Sequence, residues 1–199
     1  MMAKKQKKMS DEILEELEAN GYKTYLVGGC VRDEILRRKN YDIDITSQAK
    51  PCEIKKIFKD YKLIDIGARF GTIKVIKDGK EYEITTMRKE SSYKDNRHPD
   101  EIEFSDDIYE DLKRRDFTIN AMAKRNNEII DPFDGKIDIN LKVIRAVGDA
   151  YDRINEDMLR ALRAVRFATT LDFKIEDDLK KAIRNNSRSI LDISKERIQ

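Results

Sequence analysis

Residues 25–46 read Y-L-V-G-G-C-V-R-D-E-I-L-R-R-K-N-Y-D-I-D-I-T, and this stretch decides the fold. Apolar residues lead into Gly28 and Gly29, which predicts a strand that turns directly into a short amphipathic helix. The following Y-D-I-D-I-T run alternates with a period of two, so Asp42 and Asp44 share one face of a second strand. The stretch therefore predicts a strand, a helix and a second strand that carries two neighbouring carboxylates.

These carboxylates and the glycine turn suit phosphate chemistry. Two acids one strand repeat apart repel each other unless a cation binds between them, and hard oxygen ligands suit Mg²⁺. A turn that opens a helix presents free backbone N–H groups to a phosphate, and Arg32 lies one turn further on. Together the two features predict a nucleotidyl-transfer site. The alternatives are an ordinary strand–turn–helix and an edge strand with solvated acids.

Composition narrows the class of protein. The chain has 199 residues, which predicts one to two domains, and its formal net charge is only +2. Any affinity for nucleic acid therefore has to come from local basic patches. Cys30 and Cys52 lack metal-ligand spacing and do not indicate a disulfide framework, which favours a reducing cytoplasm. No apolar run reaches the length of a membrane helix, so no membrane association is expected.

Periodicity predicts the elements around the central stretch. Helices are expected from Ser10 to Asn20 and from Cys52 to Lys59. Residues 69–86 predict a hairpin around Asp78-Gly79. Its second strand places Glu83 on a face where a third carboxylate would complete a metal site, although a surface strand acid has the same pattern.

The middle of the chain is more polar. Residues 88–100 are aperiodic and predict a mobile loop, and Ile102 to Phe104 predict a short strand. A helical segment is expected from Ile108 to Met122, followed by a turn at D-P-F-D-G, residues 131–135. The helical segment carries four hydrogen-bonding side chains, Arg114, Arg115, Asp116 and Asn120. These donors and acceptors suit the phosphates and ribose hydroxyls of a nucleotide, and the alternative is a solvated run of charges.

From Tyr151 onward the pattern indicates helices only. Residues 155–168 predict a helix with a core stripe of Met158, Leu162 and Val165. Asp157, Arg160 and Arg163 follow at i, i+3 and i+6, which indicates either a connected functional face or ordinary ion pairs. A second helix is expected from Glu176 to Asn186. We place a domain boundary near residue 148.

Five motifs occur in fixed order: L-V-G-G-C-V-R-D with D-I-D, E-I-T-T-M-R, R-R-D-F-T-I-N-A, D-P-F-D-G and E-D-M-L-R-A-L-R. In this order they resemble the head and neck of a class II tRNA nucleotidyltransferase, the bacterial-type CCA-adding enzyme of the poly(A) polymerase family. The resemblance implies an α+β fold, with a polymerase-β-like mixed sheet and flanking helices over residues 1–148 and an all-helical neck over 149–199. Family members continue into body and tail regions that hold the tRNA, so a catalytic half of a longer enzyme is expected.

The resemblance also implies roles for particular residues. Asp42 and Asp44 would bind the catalytic Mg²⁺ ions, with Glu83 as the third acidic residue. The implied nucleotide-binding residues are Gly28, Gly29 and Arg32 at the triphosphate, Arg115, Asp116 and Asn120 at the phosphates and ribose, and Asp157, Arg160, Arg163 and Arg166 at the base.

We expect two charged side chains to recognise the base of the incoming nucleotide. Cytosine and adenine each offer an amino donor beside a ring-nitrogen acceptor, whereas guanine and uracil present the reverse order. A carboxylate that accepts (Asp157) and a guanidinium that donates (Arg160) complement the first pair. Arg163 is expected to hold Asp157 in place.

The implied reaction transfers CMP and AMP from CTP and ATP to the tRNA 3′ end and releases pyrophosphate. Within the family, a poly(A) polymerase and a CC-adding or A-adding enzyme remain alternatives. The intact polar loop at 88–100 argues against CC addition alone. An alternative of another class is a non-catalytic nucleotide- or RNA-binding module, which the loss of one aspartate of D-I-D would favour; both are present.

Overall fold

A seven-stranded mixed sheet forms the centre of the molecule. The computed structural model describes residues 12–39, 42–90, 102–126 and 128–194. The strands of this sheet are β1 (Thr24–Val27), β2 (Ile43–Ser47), β3 (Lys62–Gly67), β4 (Thr72–Lys77), β5 (Lys80–Thr86), β8 (Ala123–Arg125) and β9 (Glu128–Ile130). Two small two-stranded sheets pair β6 (Arg88–Glu90) with β7 (Ile102–Phe104) and β10 (Val143–Ile144) with β11 (Lys174–Ile175).

The strand order of the large sheet is β3-β4-β5-β2-β1-β8-β9. Only β2 and β5 run parallel to each other, and the remaining neighbours are antiparallel. The predicted hairpin is confirmed, with Asp78 (φ 50°) and Gly79 (φ 73°) forming the turn between β4 and β5. Two successive residues with positive φ suit the right-handed twist of the flanking strands.

Helices surround the sheet, and the described residues contain eight α-helices: α1 (12–19), α2 (Gly29–Ile35), α3 (Pro51–Ile57), α4 (Ile108–Lys113), α5 (Gly135–Leu141), α6 (Ala150–Glu156), α7 (Leu159–Leu171) and α8 (Asp177–Asn185). The predicted α+β fold of mixed sheet and flanking helices is confirmed. Ser10, the predicted start of α1, lies outside the described residues. No helix in the described ranges is both long and apolar enough to span a membrane.

Three core clusters occur among the described residues, and two of them are the larger ones. One joins α1 and α3 to the sheet, with Leu17, Phe58 and Tyr82 fully buried. Another combines residues on both sides of position 148, including Ile139 and Phe173. The boundary at 148 stays a prediction, and the two sides share this apolar cluster.

Several predicted elements differ from the structure. Arg88–Glu90 form strand β6 instead of a loop, because they pair in antiparallel register with β7; the rest of the predicted loop, residues 91–100, lies outside the described residues. The helical segment expected over 108–122 ends at Lys113, and a separate 3₁₀ turn follows at Thr118–Asn120. Strands β3, β8 and β9 were not predicted, since their short runs carry no clear alternation.

The helix expected across residues 155–168 is divided at Asp157. This residue has extended backbone (φ −152°, ψ 107°), and its Oδ1 accepts a hydrogen bond at 3.0 Å from the backbone N–H of Leu159 at the start of α7. The predicted core stripe is also partly wrong. Met158 is buried, but Val165 is 51% exposed, and the buried side of α7 carries Ala161 and Ala164. The neck region also contains the short strand β11, which pairs with β10.

Candidate functional site

The site begins at the turn between β1 and α2. Gly28 has φ 71° and ψ −133°, a backbone conformation that residues other than glycine rarely adopt. A Cβ built on Gly28 would lie 3.0 Å from Nη1 of Arg115 and 3.6 Å from Oδ2 of Asp44. The turn therefore brings backbone, a guanidinium and a carboxylate within contact distance, and Gly29 opens the helix directly beside them.

The acidic residues lie on neighbouring parallel strands. Asp44 and Glu83 are register partners between β2 and β5, so their side chains leave the same face of the sheet. Asp42 lies two residues before Asp44, on the same face, just outside the strand. The strand pairing therefore brings the three predicted acids to the same face of the sheet.

Electrostatics link these carboxylates. The pKa of Asp44 lies above its ordinary value, mainly because the carboxylate is buried. The charge of Arg115 acts to lower this pKa, and the charge of Asp42 acts to raise it. Burial and the charge of Asp44 likewise raise the pKa of Glu83, against the charge of Lys74. Lys74 lies on β4 directly opposite Glu83 and donates to Glu81 at 2.7 Å. It is a cation beside the acids that the sequence pattern did not indicate.

In the described ranges, no group of three or more acid, histidine or cysteine side chains is arranged so that it could hold a metal ion. Cys30 is not a ligand candidate: its thiol donates to the backbone carbonyl of Val27 at 3.1 Å, and burial raises its pKa to about 11. Open carboxylates of this kind suit Mg²⁺, which takes one or two protein carboxylates and completes its shell with water and phosphate oxygens.

Asp111 holds two arginines next to the site. This carboxylate is fully buried and accepts hydrogen bonds from Nη2 of Arg114 at 2.7 Å and Nη2 of Arg115 at 3.2 Å. Burial acts to raise the pKa of Asp111, but the two guanidinium groups outweigh it and lower the pKa. Sequence reasoning missed Asp111, although its i, i+3 and i, i+4 spacing to Arg114 and Arg115 was a usable signal.

A second buried carboxylate, Asp116, connects the head to α7. Its Oδ2 lies 2.6 Å from Nη2 of Arg163, and its Oδ1 accepts from the side-chain amide of Asn120 at 3.1 Å. Asn120 in turn accepts from Nη1 of Arg32 at 2.7 Å. Burial acts to raise the pKa of Asp116, whereas Arg163 and Asn120 lower it, and the net shift is downward. Four predicted nucleotide-binding residues are thus joined in one network.

This network corrects one expectation. Arg163 was expected to hold Asp157 in place, but its guanidinium binds Asp116. The reason is that Asp157 precedes α7 rather than lying on it, so the i+6 spacing does not place the two side chains on one helical face. Arg160 is buried and donates through Nη1 to the backbone carbonyl of Arg153 at 2.8 Å and to Glu156.

The D-P-F-D-G turn supports the Thr118–Asn120 segment. Asp131 accepts from the backbone N–H of Gly135 at 2.7 Å and so fixes the start of α5. A Cβ built on Gly135 would lie 2.4 Å from the carbonyl oxygen of Thr118, so α5 packs directly on that backbone. The buried carboxylate of Asp138 then accepts from the hydroxyl of Thr118.

Comparison with known proteins places this architecture in a family. Residues 24–145 match the family model described as the poly(A) polymerase head domain. The chain therefore belongs to the poly(A) polymerase head-domain family. The resemblance expected from the five motifs is confirmed.

Curated relatives carry a more particular name. The chain is 51% identical over 187 residues to a CCA-adding enzyme of Pediococcus pentosaceus, covering 94% of this chain and 47% of the relative. It is 48% identical to a CCA-adding enzyme of Enterococcus faecalis, covering 94% of this chain and 46% of the relative. The chain thus spans about half the length of the curated relatives it matches.

Two solved structures are also similar to this chain. The crystal structure of the Bacillus stearothermophilus CCA-adding enzyme in complex with CTP superposes with a TM-score of 0.85 at 42% identity, covering 94% of this chain and 45% of that one. A tRNA nucleotidyltransferase complexed with a primer tRNA and an incoming ATP analog superposes with a TM-score of 0.74 at 30% identity, covering 94% of this chain and 53% of that one.

Proposed function

We propose that this chain transfers CMP and AMP from CTP and ATP to the 3′ end of tRNA and releases pyrophosphate. The observation that carries the proposal is the placement of Asp44 and Glu83 side by side on β2 and β5, with the guanidinium of Arg115 next to the Gly28 turn. The names of the relatives support it, since they are CCA-adding enzymes and one was solved with CTP.

Asp42 and Asp44 are the proposed Mg²⁺ ligands, with Glu83 as a third acid. Their open arrangement fits a cation whose remaining ligands come from substrate phosphates. When bound, Mg²⁺ supplies Lewis acidity toward the attacking 3′-hydroxyl and the leaving phosphates. The protein supplies position: the strand pairing fixes Asp44 and Glu83 on one face before the substrate arrives.

The triphosphate is proposed to bind at the turn of Gly28 and Gly29. Arg115 supports this placement because its Nη1 lies 3.0 Å from the position of a Cβ on Gly28, and Asp111, which also binds Arg114, holds its guanidinium there. Arg32, held by Asn120, lies on the helix that the turn opens.

Ribose and base contacts are proposed further along the network. Asp116 and Asn120 lie on the segment next to the turn and offer side-chain oxygens to hydroxyl groups. Asp157 and Arg160 are the proposed base readers, with Arg163 and Arg166 following Arg160 on α7. The described contacts of Arg160 to Glu156 and to a backbone carbonyl would orient its guanidinium before a base enters.

Poly(A) polymerase is the second candidate, favoured by the description of the matching head-domain family. It would add repeated AMP to an RNA 3′ end without a requirement for CTP. We also propose a cytoplasmic location, supported by the free thiols of Cys30 and Cys52.

Nucleotide-by-nucleotide extension tests these proposals. The chain is incubated with Mg²⁺, one labelled nucleotide at a time, and tRNAs that end before C, after C or after CC. We expect the chain to add CMP to the tRNAs that end before C or after C, and AMP to the tRNA that ends after CC. The Asp42→Ala/Asp44→Ala variant is expected to lose turnover and to keep its binding of CTP. Repeated AMP addition without CTP would favour the polymerase, and binding of neither CTP nor ATP would contradict both.

A base-reading test uses Asp157→Ala and Arg160→Ala in the same assay. We expect both variants to incorporate UTP or GTP that the parent rejects, because the charged complement of the cytosine and adenine edges is gone. Unchanged exclusion of UTP and GTP would show that these residues do not read the base.

A further inference from the structure

Three guanidinium groups converge on the ring of Phe167 in α7. Their Cζ atoms lie 5.1 Å (Arg32), 5.3 Å (Arg163) and 5.0 Å (Arg166) from the ring centroid. The ring also packs edge-to-face against Phe117, with centroids 6.0 Å apart and planes at 87°. One half-buried aromatic side chain thus contacts α2, the segment before the 3₁₀ turn and its own helix. Sequence reasoning had given it no role.

The charges around this ring do not cancel. Arg32 pairs with Asp33, and Arg163 pairs with Asp116. Arg166 is exposed and makes no ion pair with a carboxylate in the part of the chain that the structure describes. Like charges repel, and the electron-rich ring gives all three guanidinium groups an attractive contact, which for Arg32 and Arg163 adds to their carboxylate partners.

The position of the cluster indicates what it attracts. Arg32 lies one turn after Gly28, whose added Cβ would touch both Arg115 and Asp44. The charges of Arg32 and Arg163 both act on Asp44, so these two members of the cluster lie near the turn and the acids. A small polyanion bound there would neutralise positive charge of the cluster, as a nucleoside triphosphate would.

We propose that Phe167 is a positioning residue for the nucleotide triphosphate. Its ring fixes the directions of Arg32 and Arg163 through cation–π contact and keeps Arg166 close to them. This inference rests on the proposed nucleotidyl-transfer function and adds to it a residue that touches neither base nor metal. Because the contact is electrostatic, it depends on the charge distribution of the ring and not only on its volume.

Ring fluorination tests this directly. Phe167 is replaced by mono-, di- and trifluorophenylalanine, which withdraw charge from the ring face at nearly constant size. The dissociation constants of CTP and inorganic triphosphate are expected to rise stepwise, by about threefold to tenfold at full substitution, with cytidine affinity and unfolding temperature unchanged. Phe58 is the matched control, since its buried ring packs edge-to-face on Tyr61 at 5.8 Å and has no guanidinium over it among the described residues.

Two conventional variants keep the role of Phe167 testable if the fluorinated proteins do not fold. Phe167→Leu is expected to raise the KM for CTP more than it lowers kcat, and Phe167→Tyr is expected to restore the KM. A flat CTP affinity across the fluorinated series, in a parent that binds CTP, would overturn the role of Phe167 and leave the proposed function standing. A parent that binds no CTP would overturn the proposed function and this inference with it.

Discussion

Gly28 combines a positive φ with two charged neighbours. At φ 71°, a Cβ would contact Arg115 at 3.0 Å and Asp44 at 3.6 Å. We expect Gly28→Ala to lower kcat/KM for nucleotide transfer by about 10- to 100-fold, because it displaces both side chains. The backbone strain should cost about 1–2 kcal/mol in the free energy of unfolding. Transfer kinetics and urea unfolding measure the two effects.

Gly79→Ala is the matched control for Gly28. Gly79 has a similar φ of 73°, but no heavy atom lies within 4 Å of its added Cβ. The control should show the same loss of stability with normal transfer. Equal losses of transfer in both variants would mean that backbone strain alone accounts for the Gly28 effect.

Asp111 makes the stability of the chain depend on pH. Its folded-state pKa lies below that of an unfolded chain, about 3.9. The ionised carboxylate therefore stabilises the fold fully above that pH, and this contribution is lost as the pH falls through the folded-state pKa. We expect Asp111→Asn to cost about 3 kcal/mol at pH 7 and less as the pH falls below about 4. Chemical unfolding across this pH range measures the difference.

The comparison variant is Asp177→Asn. Asp177 also has a lowered pKa, caused by its hydrogen bond to Lys180, but its side chain is 86% exposed. Its loss should leave the free energy of unfolding nearly unchanged, because an exposed ion pair contributes little. A pH-independent difference between Asp111→Asn and the parent would contradict the role assigned to Asp111.

Some of these residues were predictable and others were not. Asp42 and Asp44 were, because alternation along a strand fixes which side chains share a face. Asp111 and Phe167 were not assigned, because a buried carboxylate and a half-buried ring look the same in sequence as a surface acid and a core residue. Helical spacing brings Arg114 and Arg115 to Asp111, whereas only the tertiary structure brings Arg32 to Phe167.

Elements were predicted best where their cause is local. The β4–β5 hairpin follows from Asp78-Gly79 alone. The expected helix over 108–122 is wrong because Asp116 uses its side chain to bind the backbone N–H of Phe117 and the amide of Asn120, which favours a turn over a continuous helix. The same effect at Asp157 separates α6 from α7.

The contact of α5 with the 3₁₀ turn leads to a prediction for Gly135→Ala. The new Cβ would lie 2.4 Å from the carbonyl oxygen of Thr118, so the turn that carries Asn120 has to move. We expect a loss of about 1–3 kcal/mol in stability and a raised KM for CTP. The control is Gly67→Ala, whose Cβ would make an ordinary contact of 3.7 Å with the ring of Phe70. A normal KM in a destabilised Gly135→Ala variant would show that the turn does not position the nucleotide.

The RNA affinity of this chain has to come from local basic patches, because its formal net charge is only +2. We expect these patches to neutralise few phosphates at once. We expect weak tRNA binding, with an affinity that falls by about tenfold or less between 50 and 200 mM salt. Filter binding across a salt series measures the slope, with the longer Pediococcus pentosaceus relative as the comparison. Tight and steeply salt-dependent binding by this chain would contradict the prediction.

The apolar cluster that crosses position 148 makes the two parts of the chain cooperative. Because Ile139 and Ile144 pack in the same cluster as Ala161 and Phe173, we expect this cluster to lose its packing on both sides of position 148 together. Nucleotide held near the glycine turn would therefore protect α7 and α8 from melting as well as the sheet. Nucleotide binding at the glycine turn would then raise the melting temperature of the entire chain.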